Sequence, residues 1–303
     1  MKKILITGGA GFIGSHLSKI LLDQDYSVTI VDNLSSGSIK NLSNVIKKIE
    51  LINTDILELE KIKPYIQKTD CVVHLAGLSR VIPSINNPEM CFKNNVFGTE
   101  IIARLCSKYK KKLVFSSSRE VYGNSTSLPV SECHPLSPEN PYGASKILGE
   151  SIIQAYSRTF ELNFVILRLA NAYGINDFDR VIPTFIENAR NNKDIMIYGG
   201  EQVIDFIYID DVIDAFIRCF DPTINNKVFN IGSGVGTKLP ALADLIIEMT
   251  SSKSRIVFQE MRRGEVDAYR ADISMAKCHL NWEPQTTLYS GLKKIISEYQ
   301  KNF

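Results

Sequence analysis

Ile4-Leu5-Ile6-Thr7-Gly8-Gly9-Ala10-Gly11-Phe12-Ile13-Gly14 is the stretch whose reading decides the fold. A short apolar run, Ile4 to Thr7, leads into a Gly-rich turn. A helical pattern follows, with Phe12, Ile13, Leu17, Ile20 and Leu21 on one side. Strand, glycine turn and helix in that order open a dinucleotide-binding unit. Gly8, Gly11 and Gly14 permit a tight turn, close approach of a pyrophosphate and close helix–strand packing. The free N–H groups that start the helix then face the phosphates. Val28 to Val31 is a second apolar run, and it ends at Asp32, 18 residues after Gly14. An acidic residue there accepts hydrogen bonds from the adenosine ribose and repels a 2′-phosphate, so NAD is expected rather than NADP.

Outward from this unit the same rhythm continues. Leu51-Ile52, Cys71 to Leu75, Leu113 to Phe115 and Phe164 to Leu167 read as strands, and helical segments near 58–67, 88–109 and 141–160 separate them. Apolar, non-alternating strands between helices indicate a parallel sheet covered on both faces, an α/β doubly wound fold of Rossmann type. After about residue 170, Gly and Pro punctuate shorter elements. The expected division is a cofactor domain over 1–175, with a returning segment near 203–234, and a smaller, discontinuous α/β substrate lobe over 176–202 and 235–303. Val228 to Ile231 is the run expected to rejoin the first sheet.

Composition bounds the partners. The 303 residues are 44% hydrophobic and 22% charged with a net charge of +2. That argues for a soluble globular protein and against nucleic-acid or membrane partners. The six cysteines include no Cys-x-x-Cys pair, and reduced thiols in a cytoplasmic protein are expected. Gly8 and Gly9 interrupt the first apolar run too early for a signal peptide. The four histidines show no ligand spacing, so no metal is assigned, and His74 reads as a structural residue at a buried strand end.

Asn140-Pro141 looks like a helix cap followed by a first-turn proline. Tyr142 and Lys146 then share one helix face. A free tyrosine is a poor base at neutral pH, and a neighbouring ammonium is expected to lower its pKa. Such a pair removes a hydroxyl proton while hydride leaves the same carbon for nicotinamide. Ser116-Ser117-Ser118 follow the strand at 113–115, where a hydroxyl points into the cleft.

Together these segments resemble the extended short-chain dehydrogenase/reductases, in the nucleotide-sugar epimerase/dehydratase family. The resemblance rests on Thr7 to Gly14, Asp32-Asn33-Leu34-Ser35-Ser36-Gly37, His74 to Gly77, Asn95 to Thr99, Ser116 to Ser118, Tyr142 to Lys146 and Arg262-Arg263-Gly264-Glu265. It covers nearly the whole chain, and Asp32 to Gly37 is most similar to the 4-epimerases of the UDP-galactose type. It implies a catalytic trio of Ser118, Tyr142 and Lys146. It implies NAD contacts from Asn33, Ser35, Ser36, Gly37, Asp55, Ile56, Leu75, Ala76, Gly77, Asn95 and Ser116. It also implies substrate contacts from Asn171 and Arg262, with Arg262 on the diphosphate of a nucleotide-sugar, a UDP-sugar being favoured. In that family the sugar is oxidised at C4, the keto-sugar rotates, and hydride returns to the other face. A homodimer built on the 88–109 and 141–160 helices is implied as well.

Two departures bear on the reaction. Arg119-Glu120 stands where the family's dehydratases carry Asp-Glu, and its decarboxylases also keep the Glu. Arg119 either meets a charged substrate such as a uronic acid or pairs locally with Glu120. Ile204 stands where many relatives have a diphosphate-binding Arg, and Arg80 or Arg180 is a candidate to replace it.

Overall fold

The computed structural model describes residues 2–301 except 126 and 179. Its strands are β1 (Lys3–Thr7), β2 (Ser27–Asp32), β3 (Glu50–Asn53), β4 (Cys71–His74), β5 (Lys112–Ser118), β6 (Phe164–Leu169), β7 (Asn171–Tyr173), β8 (Ile195–Tyr198), β9 (Val203–Tyr208), β10 (Lys227–Ile231), β11 (Gly236–Lys238) and β12 (Ile256–Gln259). Seven of them form one sheet in the order β10-β6-β5-β4-β1-β2-β3, and all its pairings are parallel. The order reverses direction between β1 and β4, and this is the point where such sheets bind ligands beyond their carboxyl ends.

The strands read as uninterrupted apolar runs because both faces of the sheet are covered. Ile4, Ile6, Ile30, Val73, Val114 and Val165 point into one core, shared with Leu17 and Leu21 of the helix Phe12–Asp23 and with Val212 and Phe216 of the helix Ile209–Arg218. Leu5, Val31, Val72, Leu113, Phe115 and Ile166 point into the other, against Ile62 and Ile66 of Leu59–Lys68, Ile102 and Cys106 of Gly98–Lys108, and Ile153 of Pro141–Phe160. At roughly 25 cal/mol per Å2 of apolar surface, this two-sided burial is the main stabilising term.

Three expectations are revised. Ser116, Ser117 and Ser118 lie within β5, paired with Leu167, Arg168 and Leu169 of β6, rather than in a loop after it. Of the segment 203–234, only β10 joins the main sheet. The run in β9 instead pairs with β7 and β11 in a three-stranded sheet, because Val203 to Tyr208 is apolar enough for either partner and lies beside Asn171–Tyr173. The helix expected over 88–109 is interrupted: Pro88–Phe92 and Gly98–Lys108 flank a π-helical turn, Lys93–Phe97, that carries Asn95. The remaining two strands, β8 and β12, pair with each other.

Candidate active site

The Gly-rich turn follows β1. Gly8 has φ +73°, and a Cβ there would lie 2.7 Å from the Ala76 nitrogen. Gly14 packs so closely that a Cβ would meet the Gly8 oxygen at 2.5 Å. Gly11 caps the helix Phe12–Asp23 with no side-chain cap and no acidic residue in the first turn. The first bond back into the helix is Ser15 N–H to the Gly11 oxygen, 3.0 Å. The N–H groups of Phe12, Ile13 and Gly14 therefore precede the helical ladder, where an anion completes them. These residues fit a dinucleotide pyrophosphate. Gly14→Ala should cut the NAD that co-purifies with the protein at least about tenfold, because the new methyl displaces the turn from the helix; NAD content by extraction and absorbance checks it.

Asp32 ends β2 and is buried. Its carboxylate accepts from Ala10 N (2.9 Å) and Leu34 N (2.8 Å), which fixes it beside the turn. Two further lone pairs are left for ribose hydroxyls. A Cβ on Gly37 would approach Asp32 Oδ2 to 3.0 Å, so that wall of the cradle needs a glycine. Asn33 donates to Asp55 Oδ2 (2.7 Å) and accepts from both the N–H and the hydroxyl of Ser35. Ser36 is exposed on the same loop, and Ile56 is buried in the core beneath.

Leu75, Ala76 and Gly77 follow β4. Asn95 holds this loop: its Oδ1 accepts from Leu78 N (2.7 Å), and its Nδ2 donates to the Leu78 oxygen (2.9 Å) and to Ser145 Oγ (2.8 Å). His74 is held neutral, its pKa pushed down to about 3 by burial. Thr99 Oγ1 donates to the Asn95 oxygen, so it accepts from His74 Nε2–H, and Nδ1 accepts the Thr7 hydroxyl at 2.7 Å. His74 thus joins the dinucleotide turn to the π-helical turn, consistent with a structural role.

Asn140 accepts from Gly143 N–H (2.9 Å) and starts the helix Pro141–Phe160, with Pro141 in its first turn. Ser84 Oγ accepts from Tyr142 N–H (3.1 Å) and anchors the same end. Tyr142 and Lys146 are both buried. Lys146 Nζ donates to the Ser116 oxygen (2.8 Å) and lies 5.8 Å from the centre of the Tyr142 ring. Burial lowers its pKa to about 8. Burial also pushes the Tyr142 phenol up to about 12; the Ser118 hydroxyl bonded to it pulls the other way, Glu120 pushes further up, and Arg180 pulls down. The expectation that Lys146 lowers the tyrosine is therefore corrected for the protein alone. The ammonium is turned to the strand carbonyl, and desolvation of the phenolate outweighs the nearby positive charges.

Arg119 and Glu120 pair with each other, Nη2 to Oε1 at 2.8 Å, both nearly buried. The second Glu120 oxygen accepts from Asn140 Nδ2 (2.9 Å), and the same amide group donates to the Gly264 oxygen (2.9 Å). Arg119 Nε donates to Asn171 Oδ1 (3.1 Å). Of the two readings of Arg119, local pairing with Glu120 is the one observed. Arg262 stacks 3.7 Å above the Tyr198 ring and faces Glu265 at 3.9 Å. Arg180 pairs with Asp177 (3.4 Å) and donates to the Ala172 oxygen (3.2 Å), and Arg80 donates to the Phe178 oxygen (2.9 Å). Ile204 pairs with Thr237 in the three-stranded sheet. Sequence reasoning missed Ser84 and the bridging side of Asn140; the capping signal at Asn140 was its only trace. It also missed the buried Glu150–Arg168 pair, 2.6 Å, where Ser117 Oγ donates to Glu150 (2.5 Å). Among the described residues no cluster of His, Cys, Asp and Glu is arranged to hold a metal. No helix among them is long and apolar enough to cross a membrane.

Comparison with known proteins agrees with this geometry. The profile of the NAD dependent epimerase/dehydratase family matches residues 4–232. The chain is 37% identical to a Methanocaldococcus jannaschii protein named "Putative UDP-glucose 4-epimerase", over 99% of each chain. It is 31% identical to UDP-glucuronic acid decarboxylase 1 of Xenopus tropicalis, over 99% of this chain and 72% of that protein. The crystal structure of Thermotoga maritima UDP-glucose 4-epimerase with UDP-glucose superposes with a TM-score of 0.94 at 33% identity, over 99% of each chain. The chain belongs to the NAD-dependent epimerase/dehydratase family, an extended short-chain dehydrogenase/reductase with NAD as its cofactor.

Proposed function

We propose that this enzyme is a nucleotide-sugar 4-epimerase acting on a UDP-sugar. The observation that carries this reading is the state of Glu120. One of its oxygens is paired to Arg119 and the other to Asn140. Both Glu120 oxygens are thus taken by donors, and a guanidinium stays charged at all working pH, so Arg119 does not supply the acid that elimination of water needs. UDP-glucose 4-epimerases stand among the relatives and neighbours, and a decarboxylase relative shares the fold, so the product decides between outcomes.

NAD supplies the hydride acceptor and donor in this reading. Ser118 orients the C4 oxygen beside Tyr142. Tyr142 exchanges the proton of that oxygen, with Lys146 one helical turn away and its ammonium on the Ser116 oxygen. In the protein alone the phenol is protonated at neutral pH, the form that gives a proton back to a C4 carbonyl. Asn171 and Arg262 bind the nucleotide-sugar, with Arg80 and Arg180 at the rim, and β7, β8, β9, β11 and β12 build the substrate lobe. The exposed side chains of Met90, Phe97, Leu148 and Phe160 on the two expected dimer helices support a homodimer. The thiols, all free, support a cytoplasmic location.

The test is incubation with UDP-glucose and UDP-N-acetylglucosamine, read by proton NMR and mass spectrometry. Conversion to the C4 epimer at unchanged mass is expected. A product lighter by water or carbon dioxide overturns the reading.

A further inference from the structure

The chain Gly264–Asn140–Glu120–Arg119–Asn171 has a forced polarity. Asn140 Oδ1 accepts the Gly143 N–H, so its NH2 group must be the side that meets the Gly264 oxygen and Glu120. Glu120 only accepts when ionised, and Arg119 only donates. Arg119 Nε therefore holds the oxygen of the Asn171 amide, at 3.1 Å. No rotation of that amide satisfies both groups the other way round, since an NH2 facing the guanidinium would set two donors against each other. The oxygen of Asn171 is held by Arg119, and its NH2 is the group left for a ligand. Both ends of the chain belong to proposed substrate contacts. Gly264 follows Arg262 in the loop 262–265, and Asn171 starts β7 of the small sheet.

We propose that Arg119 is a positioning residue that turns the Asn171 amide so that it presents N–H donors to an acceptor oxygen of the bound nucleotide-sugar. The identity of that ligand class rests on the function proposed above; the forced orientation does not. Specificity follows from it. A donor aimed at a bound ligand rejects one that offers another donor or an apolar group at that place, because its own hydrogen bond goes unmade once water is displaced. Arg119 can do this because Glu120 and Asn140 hold it in turn. The side chains of Arg119 and Glu120 are 11% and 6% exposed, so water competes weakly for these bonds.

The test uses the whole protein with NAD, titrated calorimetrically with UDP and with UDP-glucose. Asn171→Asp keeps the size and the oxygen facing Arg119 but replaces the donor by an acceptor. It should weaken UDP-glucose binding at least about twentyfold while the thermal midpoint of the free protein stays level or rises, since a carboxylate pairs better with the guanidinium. A purely structural role moves both readouts in the same direction. Arg119→Met frees the amide to rotate and should weaken binding about five- to tenfold. Loss with UDP as well as UDP-glucose assigns the acceptor to the UDP part, and loss with UDP-glucose alone assigns it to the sugar; both support the proposal. Binding within twofold of the parent in Asn171→Asp, or in a folded Arg119→Met, overturns it. A changed reaction product with these affinities lost as expected would overturn only the epimerase reading.

Discussion

Tyr142→Phe should reduce kcat by about a thousandfold while NAD stays bound. The change deletes one oxygen and leaves the ring where it is. The Pro141–Phe160 helix keeps its Asn140 cap and its Ser84 anchor, neither of which touches the phenol oxygen. In the proposed reaction the lost group is the one that exchanges the proton of the C4 hydroxyl, and a positioned acid–base group contributes roughly a hundred- to ten-thousandfold. The partners of that oxygen sharpen the expectation. Ser118 is bonded to it, and burial holds it protonated, its pKa at about 12 in the protein alone. No other described tyrosine carries both that Ser118 bond and a lysine one helical turn away. Steady-state turnover of UDP-glucose, with NAD content measured in parallel, checks this. Turnover within tenfold of the parent would remove Tyr142 from the mechanism.

The largest stability effect is expected behind the site rather than in it. Arg168→Leu should destabilise the protein by about 3–5 kcal/mol, because it strands the Glu150 carboxylate in the interior. The ion pair has side chains only 5% and 2% exposed. Arg168 meets both Glu150 oxygens and also donates to the Tyr122 hydroxyl (2.9 Å) and the Glu132 oxygen (3.0 Å). Tyr122 passes the link to Asn230 of β10 (2.6 Å). At a few degrees per kcal/mol, the thermal midpoint should fall by roughly 10 °C. The double change Arg168→Leu with Glu150→Leu should recover much of the loss, since it removes both buried charges. A single change costing less than about 1 kcal/mol would show that water reaches the pair.

Much of this was legible in the sequence because it is local. The Gly8–Gly14 turn, Asp32 at a strand end, and a capped helix starting at Pro141 each announce themselves within a few residues. What stayed hidden depends on partners far along the chain. Asn140 reads as a helix cap, yet its amide nitrogen bonds residues 20 and 124 positions away. The serine run looks polar enough for a loop, yet β6 supplies the pairing that makes it strand. The apolar run of β9 carries no sign of which sheet it joins. The Tyr142–Lys146 spacing places both groups on one face, but spacing says nothing of burial, and burial decides the phenol's pKa.

The path of the chain through its sheets has a further consequence for how the molecule can be divided. The chain leaves the main sheet after β6, contributes β7 and β9 to the small sheet, returns for β10, and departs again for β11. The two halves of the cleft are sewn together rather than joined at one seam. A fragment ending near residue 175 would lose β10 and leave β6, buried along all six residues, as a bare edge. Such an edge recruits other strands. The half built on the small sheet is thus no detachable cap, and truncation should yield aggregates rather than a cofactor-binding module.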